Sequence, residues 1–176
     1  GAGVRLSDGA TLDADAVVRD VDAQQVYGRL VDDPAANRIR RRVSREVPSM
    51  SAFTMLLALR GRTPGVQHHN VWFPADYDDE FGAIFGRDAR PPADPAIYAC
   101  CPDDSLMRPD GYEAWSVLVN APRHGDGSAG SVDWTAPGRA DGYADHILGL
   151  LAARGTDLRD RIMWREIRTP AHLARD

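Results

Sequence analysis

The run Ala52-Phe53-Thr54-Met55-Leu56-Leu57-Ala58-Leu59 constrains this chain more than any other part of it. A strand with one wet face alternates apolar and polar residues. This run barely does, which predicts a strand covered on both faces. Gly61-Arg62-Thr63-Pro64-Gly65 follows, where proline presets the first central residue of a turn and glycine tolerates positive φ. His69–Phe73 then supplies Val71, Trp72 and Phe73, bulky β-formers that predict a returning strand. The two strands are expected to pair at the centre of an antiparallel sheet, and what covers its second face becomes the functional question.

The remaining elements are read around that centre. Val4–Leu12 and Ala16–Val18 predict two short strands with a turn at Asp8-Gly9. Ala23–Leu30 predicts one or two helical turns. Asp33-Pro34 has the form of a cap and first turn for a helix over Ala35–Val47. There Ala36, Ile39, Val43 and Val47 make an apolar stripe opposite Arg38, Arg41, Arg42 and Arg45, and Pro48 ends the helix. Asp76–Phe85 predicts a helix capped by Asp76 or Asp78, with Phe81, Ile84 and Phe85 inward. Ala96–Cys101, Glu113–Ala121 and Arg161–Arg168 predict strands. Gly125–Gly130 reads as a loop, and Gly138–Arg154 as a helix closed by Gly155. The sum is an α+β fold: an antiparallel β-sheet of about five strands with helices packed on one face, plus a short N-terminal strand pair too small to hold a core alone.

Composition narrows the chemistry. With 176 residues, 43% hydrophobic and 27% charged, the chain is of ordinary globular make-up. A net charge of −5 argues against nucleic acid as the main partner. All 21 basic residues are arginine. Without lysine there is no P-loop lysine, no Schiff base and no lysine general base. Cys100 and Cys101 are adjacent, so on a strand they face opposite ways and read as small buried residues of a reducing compartment. No run of 18 apolar residues and no signal peptide is visible. The opening Gly-Ala-Gly, without methionine, predicts a stretch of a longer polypeptide.

Several strings imitate motifs. Gly1-Ala2-Gly3 lacks a third glycine and a preceding strand. Gly125-Asp126-Gly127-Ser128-Ala129-Gly130 matches G-x-G-x-x-G by letter but runs into Val132-Asp133-Trp134 instead of a helix that would carry a pyrophosphate. His68-His69-Asn70 lacks metal-ligand spacing, since neighbours on a strand diverge; it serves structural hydrogen bonding or lines a substrate site, and no metal set is expected. Asp76-Tyr77-Asp78-Asp79-Glu80 lacks the EF-hand spacing and reads as an acidic helix start. The arginine face is a solvated helix surface or a contact for anionic lipid headgroups, with nucleic acid last. No nucleophile elbow or HExxH string is present, and no self-contained catalytic constellation emerges.

In order along the chain stand Val4-Arg5-Leu6-Ser7-Asp8-Gly9 with Ala14–Val18, Pro48–Phe53, Leu59-Arg60-Gly61, His68–Pro74, Asp76-Tyr77 with Phe81, Tyr98, Pro102-Asp103, Val117–Pro122 and Arg168-Thr169-Pro170. This ordered set resembles the phytoene desaturase (carotenoid desaturase) family of amine-oxidase-like flavoproteins. The resemblance implies an FAD-dependent oxidoreductase that removes hydride and proton from a long isoprenoid such as phytoene. It implies a cytoplasmic protein resting on a membrane surface, through Arg38, Arg41, Arg42 and Arg45 if those meet anionic lipid. Residues 1–22 would be return strands of the FAD-binding domain and 23–176 the substrate-binding domain. At Val18, Arg19 and Asp20, where the family has a small polar Asn-Ala-Asp-like string, the resemblance places a flavin contact. FAD itself is not expected on this stretch alone. The catalytic residues are not assigned. Wall positions for a lipophilic substrate are Phe53, Met55, Leu57, His69, Trp72, Tyr98, Trp115 and Val117, and the competing reading of these is ordinary core. Other readings are a carotenoid isomerase, an amine oxidase, or a non-catalytic lipid- or protein-interaction module.

Overall fold

The computed structural model describes residues 3–126 and 130–175, so Gly1, Ala2 and the 127–129 part of the glycine-rich loop lie outside the described residues. The chain divides into two compact units, Gly1–Pro48 and Ser49–Asp176. The arginine-rich helix therefore belongs with the N-terminal strands and not with the sheet.

In the first unit β1 (Gly3–Arg5) pairs antiparallel with β2 (Thr11–Asp13). The turn forms where the sequence predicts it: Gly9 takes φ +89, and the Asp8 carboxylate accepts the Ala10 amide at 2.9 Å. The second strand, however, is Thr11–Asp13 and not Ala16–Val18, which is exposed and carries no ladder. A tight turn at Asp8-Gly9 returns the chain at once, so the pairing partners are the residues that follow it directly. Helix α1 (Ala23–Gln25) continues as a π turn over Val26–Leu30 and is capped by Asp22. Asp33 caps a 3₁₀ turn, Pro34–Ala36, that leads into α2 (Asn37–Val43). Arg40 ties these helices by donating to the Tyr27 and Val31 carbonyls at 2.6 and 2.7 Å. Ala36 is buried, whereas Ile39 and Val47 on the predicted stripe are exposed.

The second unit is built on a five-stranded sheet in the order β4-β5-β6-β3-β9. β3 (Ser51–Arg60) pairs antiparallel along its whole length with β6 (Tyr112–Ala121) and on its other side with β9 (Ile162–Arg168). β4 (His69–Trp72) and β5 (Ile97–Cys100) complete it. The doubly apolar run is thus an interior strand. The expected pairing with His69–Phe73 is not made: β4 lies at the sheet edge, against β5. The connection between β3 and β4 is too long to fix hairpin register, and the ten-residue strand β6 offers β3 a longer ladder. β7 (Arg123–His124) and β8 (Ser131–Val132) form a small parallel pair beside the glycine-rich loop.

One face of the sheet is sealed by α4 (Arg139–Ala153). Tyr143, Ala144, Ile147, Leu148 and Leu151 form one cluster with Phe53, Met55, Leu57, Leu59, Ile97, Ala99, Trp115, Val117 and Val119. Each large apolar side chain buried this way contributes ~1.5–3 kcal/mol. Phe53 meets Tyr143 edge-on at 5.1 Å, and Trp134 packs beside both. Arg165 of β9 reaches Asp141 and Asp145 of α4 at 3.0 and 2.5 Å, clipping the sheet edge to the helix. α4 ends as predicted at Gly155, φ +87, with the Thr156 amide bonded back to the Leu151 carbonyl.

α3 (Tyr77–Phe85) is capped by Asp76, which accepts the Asp78 amide at 2.9 Å. Its inward face differs from the expected Phe81, Ile84 and Phe85. Glu80, Ala83 and Ile84 are buried, Phe81 is half-buried and Phe85 is exposed. The rotation follows Glu80, whose carboxylate accepts the Ala96 amide and the Asn120 side-chain amide, each at 3.0 Å.

Candidate functional site

Strand alternation sorts the sheet residues onto two faces, and the sorting decides what each can do. Of the eight positions named as a substrate wall, Phe53, Met55, Leu57, Trp115 and Val117 lie on the face under α4, each at most 2% exposed. Trp72 is half-buried on the same face and stacks on Trp115 at 6.4 Å. These six fill the core between sheet and helix. His69 and Tyr98 lie on the other face, where the His69 Nδ1 and the Tyr98 hydroxyl are hydrogen-bonded at 2.8 Å.

The second face is apolar over β3, β5 and β6, carries the Glu166–Arg168 pair on β9 beside Leu56 and Thr54, and is not sealed. Thr54, Leu56, Ala58, Tyr98, Ser116 and Leu118 are half-buried there, while Val71 and Trp164 are exposed. Ladder register sets them side by side: Leu118 stands between Thr54 and Tyr98, and Ala58 between Ala114 and Trp164. The sequence run is apolar on both sides because one side meets α4 and the other forms this surface. An apolar patch of this kind, bordered on β9 by the Glu166–Arg168 pair, is a place for a ligand or partner to bury area.

At the far end of β6 the structure assembles a group that sequence reasoning missed. Glu113 is 7% exposed. Its carboxylate accepts the Thr63 amide and hydroxyl, both at 2.7 Å, the Arg161 guanidinium at 3.0 Å and the Trp115 indole at 3.2 Å. Burial pushes its pKa up, but the Thr63 bonds and the Arg161 charge outweigh burial and hold it below the ordinary 4.5. All four partners are structural donors, so Glu113 acts as a staple and has no free oxygen with which to act as a base. The signal was present: Glu113 shares the inward parity of Trp115, Val117 and Val119.

Neither cysteine is bridged. Burial, with the Glu113 carboxylate nearby, pushes the Cys101 thiol up to about 12, so it is an inert core residue. Val18, Arg19 and Asp20 are all exposed and outside any strand. They form no cradle, and a strand–glycine-rich turn–helix unit is absent among the described residues, so the residues present do not fit a flavin on their own. Arg38, Arg41, Arg42 and Arg45 are exposed along and just beyond α2. Among the described residues, no helix is long and apolar enough to cross a membrane.

No family model matches the chain. Individual curated proteins do. It is 36% identical to a zeta-carotene-forming phytoene desaturase of Myxococcus xanthus over 139 residues, which is 77% of this chain and 25% of that protein. It is 34% identical to a carotenoid 3,4-desaturase of Haloarcula japonica, across 66% of this chain and 22% of the other. A 4,4'-diaponeurosporene oxygenase of Staphylococcus aureus is 27% identical across 99% of this chain and 34% of its own length. The chain thus spans between about a quarter and a third of the length of these relatives.

Proposed function

This chain is a relative of the phytoene and carotenoid desaturases along a quarter of their length, and we propose that it supplies the substrate-binding sheet of an enzyme that desaturates a long isoprenoid. The observation carrying this reading is the second face of the sheet, where Leu56, Ala58, Tyr98, Leu118 and Trp164 present apolar area that α4 leaves unburied. A polyene has almost no polar handle, so its affinity must come from such area, at ~25 cal/mol per Å². The wall is therefore the register complementary to Phe53, Met55, Leu57, Trp115 and Val117, which hold that wall rigid from behind. FAD is the redox cofactor this reading implies for the intact protein. The described residues do not form its cradle; their part is binding, alignment and exclusion of water.

The test is direct binding. ζ-Carotene presented in detergent micelles should quench tryptophan emission saturably, with Trp164 as the reporter on the wall. Leu118→Asp should abolish the saturable component. Quenching that never saturates, or that survives this substitution, overturns the reading. A second reading, oxygenation of a carotenoid, is favoured by the match to the oxygenase across 99% of the chain. Product analysis separates the two, because desaturation lengthens the conjugated system without adding oxygen.

The exposed arginines fit a lipid-borne substrate. Anionic headgroups attract cationic side chains by about 1 kcal/mol each near the surface. Arg41→Gln with Arg45→Gln should weaken co-sedimentation with vesicles containing phosphatidylserine by more than tenfold at low salt. Raising the salt should erase the difference. Binding that is indifferent to both changes would leave Arg38, Arg41, Arg42 and Arg45 as a solvated surface.

A further inference from the structure

The edge of the sheet brings three metal-capable side chains together. His69 opens β4 and faces Cys100 directly across the β4–β5 ladder. His68 sits one residue earlier, where the chain bends, so its ring escapes the alternation that separates neighbours on a strand. Its backbone is still anchored, since its carbonyl accepts the Cys101 amide at 2.7 Å. The two imidazole rings lie 4.4 Å apart. One ligand atom from each of His68, His69 and Cys100 lies within 4.8 Å of the other two. Sequence spacing had set the histidines apart and left Cys100 out, because cross-strand neighbours are invisible in a linear motif.

We propose that His68, His69 and Cys100 bind one borderline-soft divalent ion of the zinc class, with water completing a tetrahedron. Thiolate with two imidazoles selects zinc over magnesium or calcium. Ligand atoms around zinc stand ~3.5 Å apart, so closing the trio takes about an ångström of side-chain movement. The exposed imidazoles are free to make it, and Cys100 is the half-buried fixed point. An independent contact supports the assignment. Tyr98, on the same face of β5, engages His69 Nδ1 at 2.8 Å and leaves Nε2 as the free ring nitrogen. This is the outer-shell restraint that orients metal-ligating histidines. The ion staples the residues entering β4 to β5, at an edge where the ladder is only four residues long. The inference stands apart from the polyene reading and is tested without a polyene.

Cobalt(II) added to the reduced chain, free of oxygen and chelator, should bind one to one. It should give a near-ultraviolet sulfur-to-cobalt charge-transfer band and the intense visible bands of a tetrahedral ion, and zinc(II) should bleach both. Cys100→Ser should remove the charge-transfer band and Cys101→Ser should retain it. His68→Gln and His69→Gln should each lower affinity more than tenfold. Tyr98→Phe should keep the band and lower affinity about tenfold. Far-ultraviolet circular dichroism checks the fold of each variant, and if Cys101→Ser does not fold the histidine variants carry the test. No charge-transfer band, a band that survives Cys100→Ser, or affinity unchanged in both histidine variants overturns the proposal.

Discussion

Replacing Glu113 with alanine should destabilise the sheet unit by about 3 kcal/mol in urea unfolding, the scale for removing one member of a buried, hydrogen-bonded ion pair. The carboxylate joins three segments: the loop after β3 through Thr63, β6 through Trp115, and the entry to β9 through Arg161. Arg161 also donates to the Arg60 carbonyl and to the Thr63 hydroxyl, both at 2.7 Å, and Arg62 approaches Glu113 at 3.7 Å. Alanine leaves the Thr63 amide and the Arg161 guanidinium with donors that have lost their acceptor. Glu113→Gln keeps an acceptor oxygen and should cost less, about 1–2 kcal/mol. The pH dependence tests the electrostatic part. The folded-state pKa is depressed, so the stabilisation is fully present above the ordinary value of 4.5 and is lost as pH falls through the lower folded value. The stability gap between the native chain and Glu113→Gln should be flat above about pH 5 and shrink below it. A gap that persists undiminished in acid would mean that the charge contributes nothing.

Much of the fold was legible in residue order because the signals were local. Asp8-Gly9, Asp33, Asp76 and Gly155 all act as the turn and cap chemistry of their residues dictates. The interior place of β3 followed from its apolar faces. Three things were not legible, each for a non-local reason. Partner choice within the sheet depended on ladder length, so β6 displaced β4 from the side of β3. The trio of His68, His69 and Cys100, like the staple around Glu113, joins residues far apart in sequence. The sorting of residues onto the two faces was not legible either, because what decides it is again non-local. Where Phe53, Met55 and Leu57 alternate with Thr54, Leu56 and Ala58, both sets are apolar enough to be core, and only the position of α4 breaks the tie.

That tie can be broken in solution with two neighbouring residues. Val117→Asp should abolish folding of the sheet unit, whereas Leu118→Asp should leave it folded and unable to bind a polyene. Val117 is 1% exposed, flanked by Met55 and Ala99 on the helix-covered face. An aspartate there is an unpaired charge in an apolar cluster, a penalty of several kcal/mol. That is comparable with the 5–15 kcal/mol that holds a domain together. Leu118 is half-buried on the second face between Thr54 and Tyr98, where an added carboxylate keeps contact with water and meets no like charge across the ladder. The cost to folding there should stay within about 1 kcal/mol. The effect on ζ-carotene should be a loss of at least tenfold in affinity, because a charge set in the middle of an apolar wall must be desolvated by the ligand. Circular dichroism and thermal unfolding read the first result, and fluorescence quenching the second. Because side chains alternate with a period of two, the pair has opposite outcomes only if the faces are assigned as described. A folded Val117→Asp with an unfolded Leu118→Asp would invert the sheet. Two folded variants with unchanged affinity would remove the second face as the place where the isoprenoid lies.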